Sequence, residues 1–442
     1  MKKLAKRLSL INENAAGIDI GTEMIFVSVG GLPVKSFPTY TANLLEACNY
    51  LKTNNVTTVA MEATGVYWIV LYDLLERNNI EVFVVNGAHI KNVPGRKSDT
   101  QDCQWIQQLH SYGLLRSSFV PVSSIRKLRT YIRLRDDHIQ MAAAHKLHLQ
   151  KALDLMNIKI HNVISDISGA SGIKIIQAII DGQRDAEKLV LLCNEQILHK
   201  KKEQLLAALQ GNYEEQYIFM LKQSLSCLDF YLLKINECDQ QIEPLLKEMT
   251  VDKAAPSPAA AVHSPKVIKN HKPAIKDLHT LLLKLTQGKD ASQIPGLTDQ
   301  TFMKLIAEVG LDMEQWSTVK HFTSWLGLAP NKHQSGKSNK NISKRFKNRA
   351  GQIFREAARS LANSKFTALG GFYRRIRARS GPMVANVATA RKIAVLFYNI
   401  LRKGCAYAEA GLKQYDEQFK AHRIKMIQKM AHQLGMEVVP SE

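Results

Sequence analysis

Residues 17–29 read GIDIGTEMIFVSV, and this stretch decides the fold of the first third of the chain: it is a strand–turn–strand pattern with Asp19 in its first strand. Working outward, PVKSFPTY (33–40) reads as a short third strand and ANLLEACNYLKT (42–53) has helical spacing. VTTVAME (56–62) is a buried strand rich in β-branched residues. GVYWIVLYDLLERNN (65–79) sets apolar residues at i, i+3 and i+4 of a helix, and EVFVVN (81–86) is a fifth strand. A helix from Ser98 onward closes the unit, with Ser98 as its N-cap.

Three strands followed by alternating helices and strands is the order of a ribonuclease-H-like (resolvase-like) α/β domain with a mixed sheet. That order gathers four acids. Asp19 lies in the first strand and Glu62 near the end of VTTVAMEA (56–63). Asp99 and Asp102 lie in KSDTQDCQWIQQL (97–109), three residues apart and so on one face of a helix. Carboxylates crowded together repel, so such a quartet calls for divalent cations. Two hard cations sharing these ligands would clamp the attacking and leaving oxygens of a phosphodiester.

The 442 residues carry a net charge of +21, the signature of a polyanion partner, nucleic acid before membrane surface. Six scattered cysteines form no C-x-x-C pair, which excludes a zinc ribbon and a disulfide framework and fits a reducing cytoplasm. The basic N-terminus lacks the apolar stretch of a secretory signal, and no uninterrupted apolar run of about 18 residues predicts a membrane span. A soluble, cytoplasmic, basic protein is expected.

Beyond the first domain the pattern turns helical. Residues 125–158 and 186–249 are leucine-rich and charged, as in antiparallel helical hairpins or a coiled coil able to serve as a dimerisation arm; the alternative is a simple bundle packed on the first domain. VDKAAPSPAAAVHSPKVIKNHKPAI (251–275) is rich in Ala, Pro and basic residues and reads as a linker. QIPGLTDQTFMKLIAEVG (293–310) looks like half of a helix-hairpin-helix, offering amides at a helix N-terminus to a phosphate backbone. The expected divisions are 1–120 for the ribonuclease-H-like domain, 121–250 for the helical middle, 251–285 for the linker, 286–405 for an all-α C-terminal domain and 406–442 for a helical tail.

Between Lys332 and Arg379 fourteen basic residues face one acid, Glu356. Such one-sided charge repels itself unless phosphates neutralise it. Lys337, Lys344, Arg345, Lys347, Arg349, Arg355, Arg374, Arg375 and Arg377 are the candidate nucleic-acid contacts. Within this stretch His333-Gln334-Ser335-Gly336 sets a hydroxyl beside a glycine after a proline. A serine there can attack a phosphodiester and store the bond as a phosphoserine ester, with Lys337, Lys344 and Arg345 supplying positive charge. On residue chemistry alone Ser338 and Ser343 stand close behind Ser335.

The segments GIDIGTEMIFVSV, VAMEATGVYWIVLYDLLE, KSDTQDCQWIQQLHSYGLLRSSFVP, SDISGASGIKIIQAIIDGQRD, IPGLTDQTFMKLIAEVG, WLGLAPNKHQSG and GGFYRRIRARSG together resemble the DEDD transposases of the insertion sequence 110 family, closest to the 1111 subgroup. The resemblance implies a Mg²⁺-binding quartet at Asp19, Glu62, Asp99 and Asp102. It further implies a nucleophilic serine at Ser335 and strand exchange through a junction-like intermediate. A homo-oligomer (dimer or tetramer) is implied too, acting on element-end and target DNA under a noncoding guide RNA. The Pro/Ala-rich stretch near 251–275 departs from that pattern. Competing readings are a Mg²⁺-dependent Holliday-junction resolvase or nuclease without serine chemistry, an inert nucleic-acid-binding protein, and an actin-like phosphotransferase. The last is suggested by the D-I-G-T turn but lacks a second phosphate loop.

Overall fold

The computed structural model describes residues 9–87, 99–253, 266–268, 270–330, 332–335, 338–341, 348–404 and 411–438, with 332–335 and 338–341 as backbone alone. The chain divides into two compact units, Met1–Pro121 and Val122–Glu442.

In the first unit the strands are β1 (Ala15–Ile20), β2 (Met24–Val29), β3 (Lys35–Pro38), β4 (Thr58–Glu62) and β5 (Glu81–Val85), in sheet order β3-β2-β1-β4-β5. β1 pairs antiparallel with β2, and β2 with β3, whereas β4 runs parallel to both β1 and β5. This mixed sheet is consistent with the ribonuclease-H-like arrangement expected. Strand alternation divides the residues between two faces. Ile18, Ile20, Val27, Phe37, Val59, Met61 and Val84 form one core. That core takes in Leu44, Ala47, Cys48 and Leu51 of α1 (Thr41–Thr53) and Leu71 and Leu75 of α2 (Trp68–Arg77). On the opposite face Ala60 and Val85 pack with Ile106 of α3 (Asp99–Ser111). His110, on the same helix, is buried against the Thr58 hydroxyl at 2.9 Å, and burial lowers its pKa to about 4, so it is a neutral packing residue.

The second unit is built on two long helices, α4 (Ser123–Leu155) and α8 (Glu215–Glu248). They run antiparallel: Arg135 meets Asp239 near one end, His145 stacks on Tyr231 further along, and Leu149, Ala152 and Leu153 share a core with Leu221, Leu225 and Leu228. Arg135 and Asp239 are buried, 2.6 Å apart, and also bind the His271 carbonyl and the Ala274 amide, tying the 271–274 segment to the pair. Between the long helices lie α5 (Ala170–Ile180), α6 (Ala186–Val190) and α7 (Glu195–Ala208). The second leucine-rich stretch, 186–249, is three helices, α6, α7 and α8, and the side chains of Asp185 and Asn194 cap the starts of the first two.

Three expectations need correction. The stretch to residue 285 is not all linker: α9 (Leu278–Leu285) buries five leucines, and the Lys266 ammonium donates to the carbonyls of Ser292, Ile294 and Leu297. The Pro-Gly turn before α10 (Asp299–Val309) is not displayed to a phosphate backbone. Ile294, Pro295 and Leu297 are buried, and a Cβ on Gly296 would lie 2.7 Å from the Ala357 carbonyl oxygen, so this turn packs inward. Its helix start is satisfied by the Thr298 hydroxyl, which accepts from the Thr301 amide. The C-terminal part is also not all-α: β6 (Lys332–Ser335) and β7 (Ser338–Asn341) form an antiparallel ribbon.

Around this ribbon in sequence stand α11 (Val319–Trp325), α12 (Arg349–Ser360) and α13 (Ala368–Lys403), whose core is aromatic: Phe322 lies 6.4 Å from Phe354 and 6.3 Å from Phe397. Among the described residues α13 is the one helix long and apolar enough to cross a membrane by length and composition. Half of that apolar window is buried within the unit, and Gly381 and Pro382 interrupt the helix. The last helix, α14 (Gly411–Gln433), is mostly exposed.

Replacing one partner of the Arg135–Asp239 pair strands a buried charge. Arg135→Ala is expected to cost about 3–5 kcal/mol in urea denaturation, whereas Arg135→Met with Asp239→Leu should come within about 1–2 kcal/mol of the parent. Equal losses in the single and double variants would show that the pair is not the fastening.

Candidate active site

The acidic quartet is assembled by the contact between β1 and α3. Gly17 and Asp19 share the face of β1 that looks onto this helix. A Cβ on Gly17 would fall 2.2 Å from the Gln107 amide nitrogen and 2.4 Å from the Cys103 carbonyl oxygen, so the helix backbone rests directly on the glycine. Two residues along a strand and four along a helix both advance about 6–7 Å. Moving from Gly17 to Asp19 therefore matches moving from Cys103 back to Asp99. Glu62 enters from β4: it follows Met61, the partner of Ile18, and so sits alongside Asp19 on the same face. A Cβ on Gly87 would meet Glu62 Oε1 at 2.1 Å, so this glycine leaves room for the carboxylate.

The electrostatics record the convergence. Asp19 is pushed up to about 6, first by burial and then by Asp99, Asp102 and Glu62. Each neighbouring negative charge makes the ionised form harder to hold. Nearby Cys103 is pushed up to about 12 by burial and Asp19, and its Sγ donates to the Thr100 carbonyl, so this thiol is inert packing. Among the described residues no three His, Cys, Asp or Glu side chains are drawn to the spacing of a single cation's ligands. The donor set nevertheless fits a hard divalent cation: oxygen ligands only, mutually repelling, with one carboxyl already driven toward its protonated form by burial and by that repulsion.

The basic candidates separate into two groups. Arg355 donates to the Gly327 carbonyl at 2.9 Å and Arg374 to the Ser364 carbonyl, so both brace the fold. Arg375 is held by α14: it binds the Tyr415 hydroxyl, reaches Asp416 at 3.0 Å and stacks on Phe419 with its guanidinium 3.3 Å from the ring centre. Arg349 and Arg377 are exposed. Ser335 ends β6 opposite Ser338, placing it at the tip of the ribbon. Ser98, Lys337, Lys344, Arg345 and Lys347 lie outside the described residues.

Two family models match the chain. One, a transposase model for the DEDD type of IS110, covers residues 16–158 and so includes all four acids. The other, described as transposase of the IS116/IS110/IS902 family, covers residues 289–374 and includes the ribbon. The chain belongs to the IS110 family of transposases. It is accordingly a DNA transposase, an enzyme that binds DNA, and the DEDD type implies use of a divalent metal. No curated protein matches it. Reading the sequence missed Gly17 and Gly87, which let the IS110-type carboxylates approach. The signal was present at Gly17, two residues before Asp19 and so on its face of the strand.

Asp19 has a raised folded-state pKa, so its protonated form favours the fold. This contribution is full below about pH 4 and is lost as pH rises through about 6. Asp19→Asn should therefore raise the melting temperature at pH 8 in chelator. Millimolar Mg²⁺ should raise that of the parent at pH 8, raise it less below pH 6, and leave the Asp19→Asn variant nearly unmoved. A parent indifferent to Mg²⁺ at every pH would remove the cation from this site.

Proposed function

We propose that this transposase is an RNA-guided, site-specific DNA recombinase of the 1111 subgroup, cutting and rejoining strands with Ser335 as nucleophile and Asp19, Glu62, Asp99 and Asp102 holding Mg²⁺. The observation that carries the reading is geometric: α3 rests directly on β1 at Gly17, which brings Asp99 and Asp102 to Asp19, and Glu62 stands alongside from β4. Carboxylates spread over β1, β4 and α3 are costly to assemble unless a cation is to be held there.

Bound Mg²⁺ would supply charge neutralisation at the attacking and leaving oxygens. The protein's own groups do the rest. Ser335 Oγ loses its proton to a base and bonds to the scissile phosphorus. The bond from phosphorus to the leaving strand's oxygen breaks, and that oxygen takes up a proton. The phosphoserine ester keeps the bond energy until the hydroxyl of an exchanged strand attacks and releases Ser335. Arg349 and Arg377, exposed, with Lys337, Lys344, Arg345 and Lys347, are the cations we assign to phosphates, while Arg355, Arg374 and Arg375 are occupied within the fold. The finer domain divisions, a dimer or tetramer formed through the α4–α8 pair, a cytoplasmic setting and the guide RNA belong to the same reading. The net charge of +21 supports an RNA as well as a DNA partner.

Ser335→Ala should abolish covalent protein–DNA adducts and strand transfer on denaturing gels while changing DNA affinity less than about threefold. Adducts that persist would move the nucleophile, with Ser338 next. Metal-dependent cleavage that survives Ser335→Ala at the parent's rate would favour the junction-resolvase alternative. Expression with native flanking DNA should co-purify one discrete RNA encoded beside the gene; random cellular RNA alone would remove the guide.

A further inference from the structure

Helix α13 is broken near its middle, and the break is written into the backbone. Gly381 has φ +83° and ψ 169°, a region open essentially to glycine, and Pro382 follows without an amide hydrogen to continue the ladder. Pro382, Met383 and Val384 are all exposed there, Met383 at 83% and Val384 at 52%, and the preceding Arg377, Ala378, Arg379 and Ser380 are exposed as well. One residue further on, Ala385 is buried, followed by Thr389, Ala390, Ile393 and Phe397, so the resumed helix is anchored in the core. The break is thus an apolar knuckle on a rigid support. Along the chain the stretch is basic: from Ala357 to Ala408 there are ten Lys and Arg residues and no acid, and Asp416 of α14, which reaches this helix, is paired with Arg375.

We propose that the knuckle at Pro382, Met383 and Val384 inserts between base pairs of duplex DNA while Arg377 and Arg379 hold the flanking phosphates. This rests on the DNA-acting reading above and adds to it a surface that deforms the duplex. Apolar tips of Pro and Met with adjacent arginines have the chemistry of wedges that unstack and kink a duplex, presenting hydrocarbon to base faces and cations to phosphate rails. Two exposed arginines just ahead of an exposed apolar tip fit a polyanion. Local unstacking also serves a recombinase, which must free strands from their duplex before exchanging them.

The test uses the full chain and a mixed-sequence duplex of about 30 base pairs with a central mismatch beside a 2-aminopurine, because a mismatch fixes where insertion is easiest. The parent should bind in anisotropy and raise 2-aminopurine fluorescence several-fold. Met383→Ala with Val384→Ala should lose that rise while affinity changes less than about threefold. Arg377→Gln with Arg379→Gln should weaken binding and reduce the slope of log affinity against log salt by about 2. A fluorescence rise that survives the apolar substitutions overturns the proposal while leaving DNA binding in place. So does an apolar variant that changes sedimentation mass, or binding to phosphatidylglycerol vesicles, with unstacking intact. A parent that binds no duplex in anisotropy overturns the DNA-acting reading itself.

Discussion

The close seating of α3 on β1 at Gly17 is the constraint on which the first unit depends. Helix backbone reaches strand backbone there because no side chain intervenes, and a methyl group would be within 2.4 Å of two main-chain atoms. The contact holds Asp99 and Asp102 over Asp19 while Glu62 joins from the neighbouring parallel strand. The fold thereby accepts a destabilising cluster of negative charge. It does so on a face whose other half is fastened by Ala60, Val85 and Ile106, with an extensive core on the opposite side of the sheet. Strain of this kind, supported by packing elsewhere, is what a functional site in a folded domain requires.

The second unit manages charge differently. Arg135 and Asp239 are buried together and fasten two long helices to the 271–274 segment. Around the aromatic core of Phe322, Phe354 and Phe397 the arginines are divided by neighbourhood rather than by sequence. Arg355 and Arg374 spend their donors on carbonyls and Arg375 is taken up by Tyr415, Asp416 and Phe419, while Arg349 and Arg377 look outward. A count of fourteen cations between Lys332 and Arg379 thus overstates the number available to phosphates.

Much of the first unit was legible because its strands alternate apolar residues around β-branched runs and its helices carry apolar residues every three or four positions. The acids could be picked out because each sits at a strand or on a helix start. The ribbon carrying Ser335 was not legible: KHQS and SNKN have no apolar alternation, so nothing local distinguishes strand from loop. The Pro-Gly turn at 295–296 read as a phosphate-facing element because turn chemistry does not say which side of the turn is covered. Leu278–Leu285 was assigned to the linker because the composition before it overshadowed eight residues whose leucines are all buried.

The amino-acid sequence by itself determined the order of strands and helices in the first unit, the identity of the four acids and the concentration of positive charge in the last third. These depend on local periodicity and composition, which need no partner. Only the tertiary structure decided that Gly17 and Gly87 open space for the carboxylates and that Gly296 faces inward. It also decided that Arg375 is occupied and that Met383 stands exposed at a break in α13 that follows the exposed Arg377 and Arg379. Each of these depends on what residues distant along the chain bring to the same place, and burial and pairing exist only once the chain has closed on itself.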